Sequence, residues 1–187
     1  MSLQLIEIVP ADTAREAVSA LLDRTASTLT EAGHELVEAQ VTSDRGRVFV
    51  IAEVQGEADA APAADLATAL GDAAAEVSEP ATVRLVGAEL ADVKAARPAA
   101  GYLVEWDIPA EITMDAYLAR KKANAPKYAD VPETSFLRTY VREDTAKCLC
   151  FYDAPDTDAV VRAREAVSTP IDRLHVLDAD LLRGVGR

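Results

Sequence analysis

Residues that usually build chemical sites are scarce in this chain. Its 187 residues include two cysteines, Cys148 and Cys150, and two histidines, His34 and His175. On a strand, the two cysteines would point the same way with Cα atoms about 6.6 Å apart, which suits a disulfide poorly. We therefore expect reduced thiols in a cytoplasmic protein. The sequence spells out no phosphate-binding loop and no regular spacing of metal ligands.

Long apolar runs and an excess of positive charge are also missing. No apolar stretch approaches the roughly 20 residues of a membrane span, and the first residues lack the pattern of a signal peptide. The chain is acidic, with 19 Lys and Arg against 32 Asp and Glu and a formal net charge of -13. We therefore expect no membrane and no nucleic-acid partner, because a polyanion would be repelled.

Four strand-like segments occur twice in the same order, and we infer an internal repeat from them. The segment VRLVGAEL at 83–90 is especially similar to LHVLDADL at 174–181. The other pairs are LIEIVPAD (5–12) with LVEWDIPAE (103–111), LVEAQV (36–41) with FLRTYV (136–141), and FVIAEVQ (49–55) with LCFYDAP (149–155). We predict a first repeat at 1–90, a linker at 91–100 and a second domain at 101–187.

Helical patterns lie between the strand-like segments. Thr113 and Asp156 are predicted N-caps in the second half, and Thr13 with Glu16 reads as a capping box in the first. Each half then has the order β-α-β-β-α-β, which is the ferredoxin-like unit. We predict an α+β fold of two such units, with their open sheet faces packed together as a barrel. This arrangement gives a monomer with an internal pseudo-dimer, or a homodimer if the cover comes from a second chain.

Alternation along the second-half strands assigns residues to the two sheet faces. We expect Val104, Trp106, Leu149 and Phe151 to pack against the helices. The first half lacks a thiol, a phenol and an imidazole on its open face, so we expect any site in the second half. The predicted open face of the second half carries Glu105, Asp107, Arg138, Tyr140, Cys148, Cys150, Tyr152 and His175.

Two kinds of binding site are consistent with this open face. Cys148, Cys150, His175 and Glu105 offer sulfur, imidazole and carboxylate ligands for nickel, zinc or copper. The alternative for the cysteines is a purely structural role, since free cysteine is among the most buried residue types. No sequence motif activates Cys150 as a nucleophile, so we assign no catalytic residue.

The second predicted site is for an organic ligand. Arg138, Tyr140 and Tyr152, together with Glu105, could orient an anionic or aromatic small molecule in a cavity at the sheet. The alternative is that Arg138 forms an ion pair with Glu105 or Asp107 and has only a structural role.

The second half also resembles a known family. The segments GYLVEWDIP, SFLRTYV, CLCFYDAPD and TPIDRLHVLD follow one another in the order and spacing of the domain of unknown function 4242 family, over 101–182. One branch of that family is named for nickel binding. The resemblance implies a ferredoxin-like fold, self-association across the sheet and binding of nickel or another divalent metal. It implies no established reaction.

We therefore expect a small-ligand or divalent-metal binding protein. One alternative is a cofactor-independent enzyme of the α+β barrel type, oxygenase-like or isomerase-like, which rests on fold analogy. Convergence of Glu105, Tyr152 and His175 in a pocket would favour that enzyme. The other alternative is a structural or interaction module without a ligand.

Overall fold

Alternating strands and helices form a mixed α+β fold in residues 2–55, 62–96 and 100–184, which are the residues described by the computed structural model. The chain divides into two compact units. The first comprises Met1–Val83, Leu90–Arg97 and Asp178–Arg187, and the second comprises Arg84–Glu89 and Pro98–Leu177. Among the helices of the described residues, none is both long and apolar enough to cross a membrane.

An antiparallel sheet with helices forms the first unit. Its strand order is β10-β2-β3-β1-β5, and β4 also pairs with β1. The hydrophobic core lies where the helices contact one sheet face, around Ile6, Leu22 and Val50. The strands are β1 (Ser2–Pro10), β2 (Glu35–Val41), β3 (Val48–Val54), β4 (Ala74–Val77), β5 (Ala81–Val86) and β10 (Arg183–Gly184), and the helices are α1 (Arg15–Glu31), α2 (Pro62–Leu70) and α3 (Leu90–Ala96).

The second unit has the predicted order β-α-β-β-α-β. Its strands pair antiparallel in the order β7-β8-β6-β9. This is the arrangement of a ferredoxin-like unit, in which the first and third strands are neighbours. The elements are β6 (Tyr102–Asp107), α4 (Met114–Asn124), β7 (Ser135–Arg142), β8 (Lys147–Asp153), α5 (Thr157–Ala166) and β9 (Arg173–Val176).

Local hydrogen bonds explain where the helices begin. The Thr113 side chain accepts a hydrogen bond from the Ala116 N–H, and Asp156 accepts one from Ala159, so both predicted caps of the second unit are confirmed. The predicted capping box at Thr13 is wrong, because the N-cap of α1 is Ala14 and no side chain caps it. Asp12 accepts a hydrogen bond from the Ala14 N–H instead and fixes the chain before the helix.

Strands β2 and β7 share an irregularity at positions that the predicted repeat aligns. The pairing register shifts between Leu36 and Glu38 in β2 and between Phe136 and Arg138 in β7. A bulge of this kind interrupts the alternation, so that two residues that are two apart, and would normally share a face, lie on different faces of the sheet. The duplication and the face-to-face packing of the sheets stay predictions.

The predicted linker at 91–100 contains helical structure. Residues Leu90–Ala96 form α3, and 97–99 lie outside the described residues. The Lys94 ammonium of α3 forms ion pairs with Glu35 of β2 at 2.5 Å and with Glu53 of β3. These ion pairs attach α3 to the sheet of the first unit.

Candidate functional site

The strand register places the two cysteines on the helix-covered face of the second unit. Cys150 lies opposite Val104, and Cys148 lies opposite Trp106. Both cysteines and Tyr152 are part of the core that packs beneath the helices. Their predicted position on the face of Glu105 is therefore wrong. The reason is that β8 is buried on both faces, so alternation of polar and apolar residues could not set its phase.

The sulfur of Cys150 is surrounded by hydrogen-bond donors. The Thr139 hydroxyl donates to Cys150 Sγ at 3.2 Å, and Nη1 of Arg164 donates to it at 3.3 Å. Cys148 Sγ lies 3.8 Å away on the same strand. The Lys121 ammonium in turn donates to the Thr139 hydroxyl at 2.8 Å. This is an environment that stabilises a thiolate.

The two thiols have pKa values shifted in opposite directions. The hydrogen bond from Cys148, together with the positive charges of Lys121 and Arg164, holds the pKa of Cys150 well below its ordinary value, against the opposing effect of burial. The pKa of Cys148 is raised, because it donates its proton toward Cys150 and is itself buried. Of the two thiols, Cys150 is therefore the one that loses its proton more readily.

Two phenols extend this hydrogen-bonded cluster. The hydroxyls of Tyr128 and Tyr152 lie 2.9 Å apart, and Arg164 Nη1 donates to the Tyr152 hydroxyl at 3.3 Å. Burial and the nearby charge of Cys150 raise the pKa of Tyr128 to about 12, and the same two causes raise the pKa of Tyr152 well above its ordinary value. Both phenols therefore stay neutral and able to donate.

A cleft of about 360 Å³ opens beside Cys150, and this volume includes space open to solvent. The enclosed free space in the cleft is about 20 Å³, which is room for about one ordered water. Residues lining the cleft include Trp106, Tyr117, Lys121, Tyr128, Cys150 and Arg164.

Arg164 is an unusual component of this cleft because it is a cation that is only 2% exposed. Its Nη2 donates to the Pro170 carbonyl, and its Nη1 contacts Cys150 and Tyr152. Its Nε has no hydrogen-bond partner within the described part of the chain. The guanidinium therefore retains one unused donor in a buried place, which is costly without a partner.

A second polar cluster surrounds Glu105 on the opposite face of the sheet. The fully buried carboxylate forms ion pairs with Lys147 Nζ at 2.8 Å and with Arg173 Nε at 3.0 Å. His175 Nε2 lies 2.8 Å from its Oε1. Burial opposes ionisation, but the hydrogen bonds from His175, Arg173 and Lys147 outweigh it and hold the pKa of Glu105 far below its usual range.

The other two predicted ligand-binding residues lie on the Glu105 face. The Arg138 guanidinium stands over the Phe151 ring at 4.6 Å, and Tyr140 meets that ring edge-on at 5.9 Å between centroids. Both side chains are buried. Arg138 and Tyr140 are thus separated from Tyr152, which is on the helix side.

The four predicted metal ligands do not meet in one place. Glu105 and His175 contact each other on one face, whereas Cys148 and Cys150 lie on the other. In residues 2–55, 62–96 and 100–184 there is no group of three or more His, Cys, Asp or Glu arranged to hold a metal ion.

Several residues of the cleft were not predicted from the sequence, and Arg164 is the most important of them. The sequence of helix α5 does contain a pattern that indicates its burial. Val160, Ala163 and Val167 form an apolar stripe at helical spacing, and position 164 falls within that stripe. An arginine on the core-facing side of a helix indicates a buried cation with specific partners.

Comparisons with known sequences identify part of the chain. Residues 102–176 match the family described as nickel responsive protein SCO4226-like. This match supports the predicted resemblance of the second half to a nickel-binding family, under a different family name. A search of curated proteins finds no match.

Solved structures resemble the whole chain in fold. A candidate monooxygenase from Lactobacillus acidophilus NCFM has a TM-score of 0.55 at 11% identity, covering 99% of this chain and 96% of its own. A candidate chlorite dismutase has a TM-score of 0.58 at 13% identity, with 97% and 98% covered. A candidate monooxygenase from Fusobacterium nucleatum subsp. nucleatum has a TM-score of 0.54 at 10% identity, with 98% and 94% covered. The chain therefore shares the α+β fold of these proteins, and its residues 102–176 are similar to the nickel-responsive family.

Proposed function

We propose that the second unit binds a compact aromatic anion in the cleft beside Cys150. The observation that carries this proposal is the buried Arg164, whose Nε has no hydrogen-bond partner within the described part of the chain. A carboxylate is a matching partner for an arginine, because charge-assisted hydrogen bonds to guanidinium are strong and directional.

The charge of the cleft supports an anion. Arg164, Lys121 and Arg120 bring three positive charges, and a deprotonated Cys150 would contribute only one negative charge. The net positive charge disfavours a free cation and favours a negatively charged ligand.

The remaining lining supports an aromatic group on that ligand. Trp106 and Tyr117 lie with ring centroids 6.1 Å apart, and the Arg120 guanidinium stands 5.7 Å from the Trp106 ring. The volume of about 360 Å³ includes open solvent, and the enclosed part has room for about one water. A single aromatic ring therefore enters only when the exposed Arg120 side chain moves aside.

Trp106 provides the experiment, because it is the single tryptophan of the chain. We expect benzoate to change Trp106 fluorescence saturably, and neutral benzamide to bind at least about tenfold more weakly. Arg164→Lys should weaken benzoate binding, and Arg162→Lys on the same helix should not, since Arg162 pairs with Glu133 at the surface. Absence of any saturable signal and calorimetric heat across benzoate-sized carboxylates would overturn the proposal.

Nickel binding is the second candidate, and the match of 102–176 to the nickel-responsive family favours it. The residues present do not fit a complete nickel site. The two sulfurs are 3.8 Å apart, a separation suited to two ligands of one metal, but Arg164 lies beside them and a third ligand is lacking in the described residues. Glu105 is already bound by three donors.

Native mass spectrometry of untagged protein during nickel titration tests this second candidate. Stoichiometric nickel that is lost in Cys148→Ala with Cys150→Ala would support metal binding. No bound nickel in a folded protein would exclude this candidate and leave the organic anion.

Only the similarity in fold to the solved structures supports the alternative that the protein is an enzyme. The predicted convergence of Glu105, Tyr152 and His175 does not occur, because Tyr152 lies on the opposite face from the other two. Structural likeness at 10–13% identity carries no reaction to this chain. Self-association and a cytoplasmic location stay predictions.

A further inference from the structure

We infer that Cys150 is a modification site at which hydrogen peroxide oxidises the sulfur to a sulfenic acid. The inference uses the cleft of the proposed function, but it does not depend on benzoate or any other organic ligand. It concerns a covalent reaction of this residue, whereas the proposed function concerns reversible binding.

Access to the sulfur limits the size of the oxidant. Cys150 is only 1% exposed, yet it lines the cleft. The free space of about 20 Å³ is suited to a molecule close to water in size. Hydrogen peroxide, with two oxygen atoms, is the smallest hydroperoxide. Cumene hydroperoxide is much larger and should be excluded.

The donors around the sulfur favour nucleophilic attack. Thr139 and Arg164 donate to Cys150 Sγ from separate elements, and Cys148 lies on its third side. Deprotonated sulfur is the reactive form of cysteine, and these contacts stabilise that form. The Arg164 guanidinium, whose Nη1 lies 3.3 Å from the sulfur, is also placed to stabilise a departing hydroxide.

The reaction is a two-electron oxidation with hydrogen peroxide as the oxidant. The sulfur attacks one oxygen, so that an S–O bond forms as the O–O bond breaks. The attacked oxygen keeps its hydrogen and becomes the sulfenic hydroxyl. The other oxygen leaves as hydroxide and takes a proton from solvent to give water. Cys148 is two residues along the same strand, where disulfide geometry is unfavourable, so the sulfenic acid is the expected product.

The test treats the full chain with hydrogen peroxide, denatures it in dimedone and locates the adduct by peptide mass spectrometry. We expect the adduct on Cys150 and not on Cys148, and we expect it to persist in Cys148→Ala. Oxidation by cumene hydroperoxide should be much slower than oxidation by hydrogen peroxide. Equal labelling of both cysteines, or faster oxidation by cumene hydroperoxide, would overturn the inference.

Arg164→Met gives the matched variant, with Arg162→Met as its control. If Arg164→Met restores an ordinary thiol, about 3% of Cys150 is thiolate at pH 7; the higher intrinsic reactivity of that thiolate offsets part of the loss. We expect an oxidation rate about tenfold lower that rises more steeply from pH 6 to 8 than the rate of the parent. If Arg164→Met does not fold, Thr139→Val removes the other donor to Cys150 and should have an effect in the same direction. An unchanged rate and profile in the folded variant would refute the role of these donors.

The two proposals fail separately. Oxidation of Cys150 without any benzoate binding would remove the proposed function and leave the inference standing. Benzoate binding with an inert Cys150 would do the reverse. If both hold, saturating benzoate should slow the oxidation by blocking the cleft.

Discussion

Replacing Glu105 with glutamine should destabilise the second unit by about 3 kcal/mol at pH 7. Removing one partner of a buried ion pair typically costs about 3–5 kcal/mol. The lower end applies, because the side chains of Lys147, His175 and Arg173 are 17%, 20% and 38% exposed and regain some hydration. Glutamine also places an N–H₂ group among donors, where the carboxylate supplied only acceptors.

Acid should reduce this difference. The pKa of Glu105 is lowered by folding from an ordinary value of 4.5, so its contribution is fully present above that value and is lost as the pH falls. At pH 3.5, one unit below the unfolded pKa, protonation of Glu105 in the unfolded chain removes about 1.4 kcal/mol of its contribution to the free energy of unfolding. The difference in the free energy of unfolding between the parent and Glu105→Gln should therefore shrink to about half of its value at pH 7.

Urea unfolding followed by Trp106 fluorescence measures this effect, since Trp106 belongs to the second unit. Asp107→Asn is the matched control, because Asp107 pairs with the same Arg173 but is 54% exposed, and it should cost below about 1 kcal/mol. Equal losses in the two variants, or a gap for Glu105→Gln that does not change at pH 3.5, would refute the reasoning.

Two further changes test local structure in the second unit by urea unfolding. Gly87 has φ +88°, and an added Cβ would lie 2.6 Å from a ring carbon of Phe136, so Gly87→Ala should cost about 2–3 kcal/mol. Gly101→Ala meets no atom within 4 Å and should cost far less; equal costs would contradict the steric account. Asp156→Ala should cost about 1 kcal/mol by removing the cap of α5, and Asp158→Ala, two residues later in the first turn, should cost less.

Much of the second unit could be predicted from the sequence because its signals are local. The side chains of Thr113 and Asp156 accept hydrogen bonds from N–H groups only three residues along the chain, and the order of strands and helices follows from periodicity. The proximity of Glu105 and His175 also followed from alternation, because β6 and β9 each carry polar residues on one side only over that stretch.

The cleft could not be predicted because its geometry depends on pairing between distant segments. Strand β8 is apolar on both sides, so the face of Cys150 was decided by its register opposite Val104. A bulge in β7 then places Phe136 and Arg138 on different faces, which simple alternation does not anticipate. Burial of Arg164 depends on the contact of α5 with that face.

Strand β3 of the first unit contains a natural comparison for the thiol-bearing strand. Val50 lies opposite Ala39 and Val48 opposite Val41, in a hydrocarbon core. The same register joins Cys150 to Thr139 and Cys148 to Val141 in the second unit. Valine at these two strand positions is therefore sufficient for packing in the sheet. The sulfur, hydroxyl and guanidinium of the second unit exceed what packing requires, and a chemically silent version of that unit can be designed from the chain's own other half.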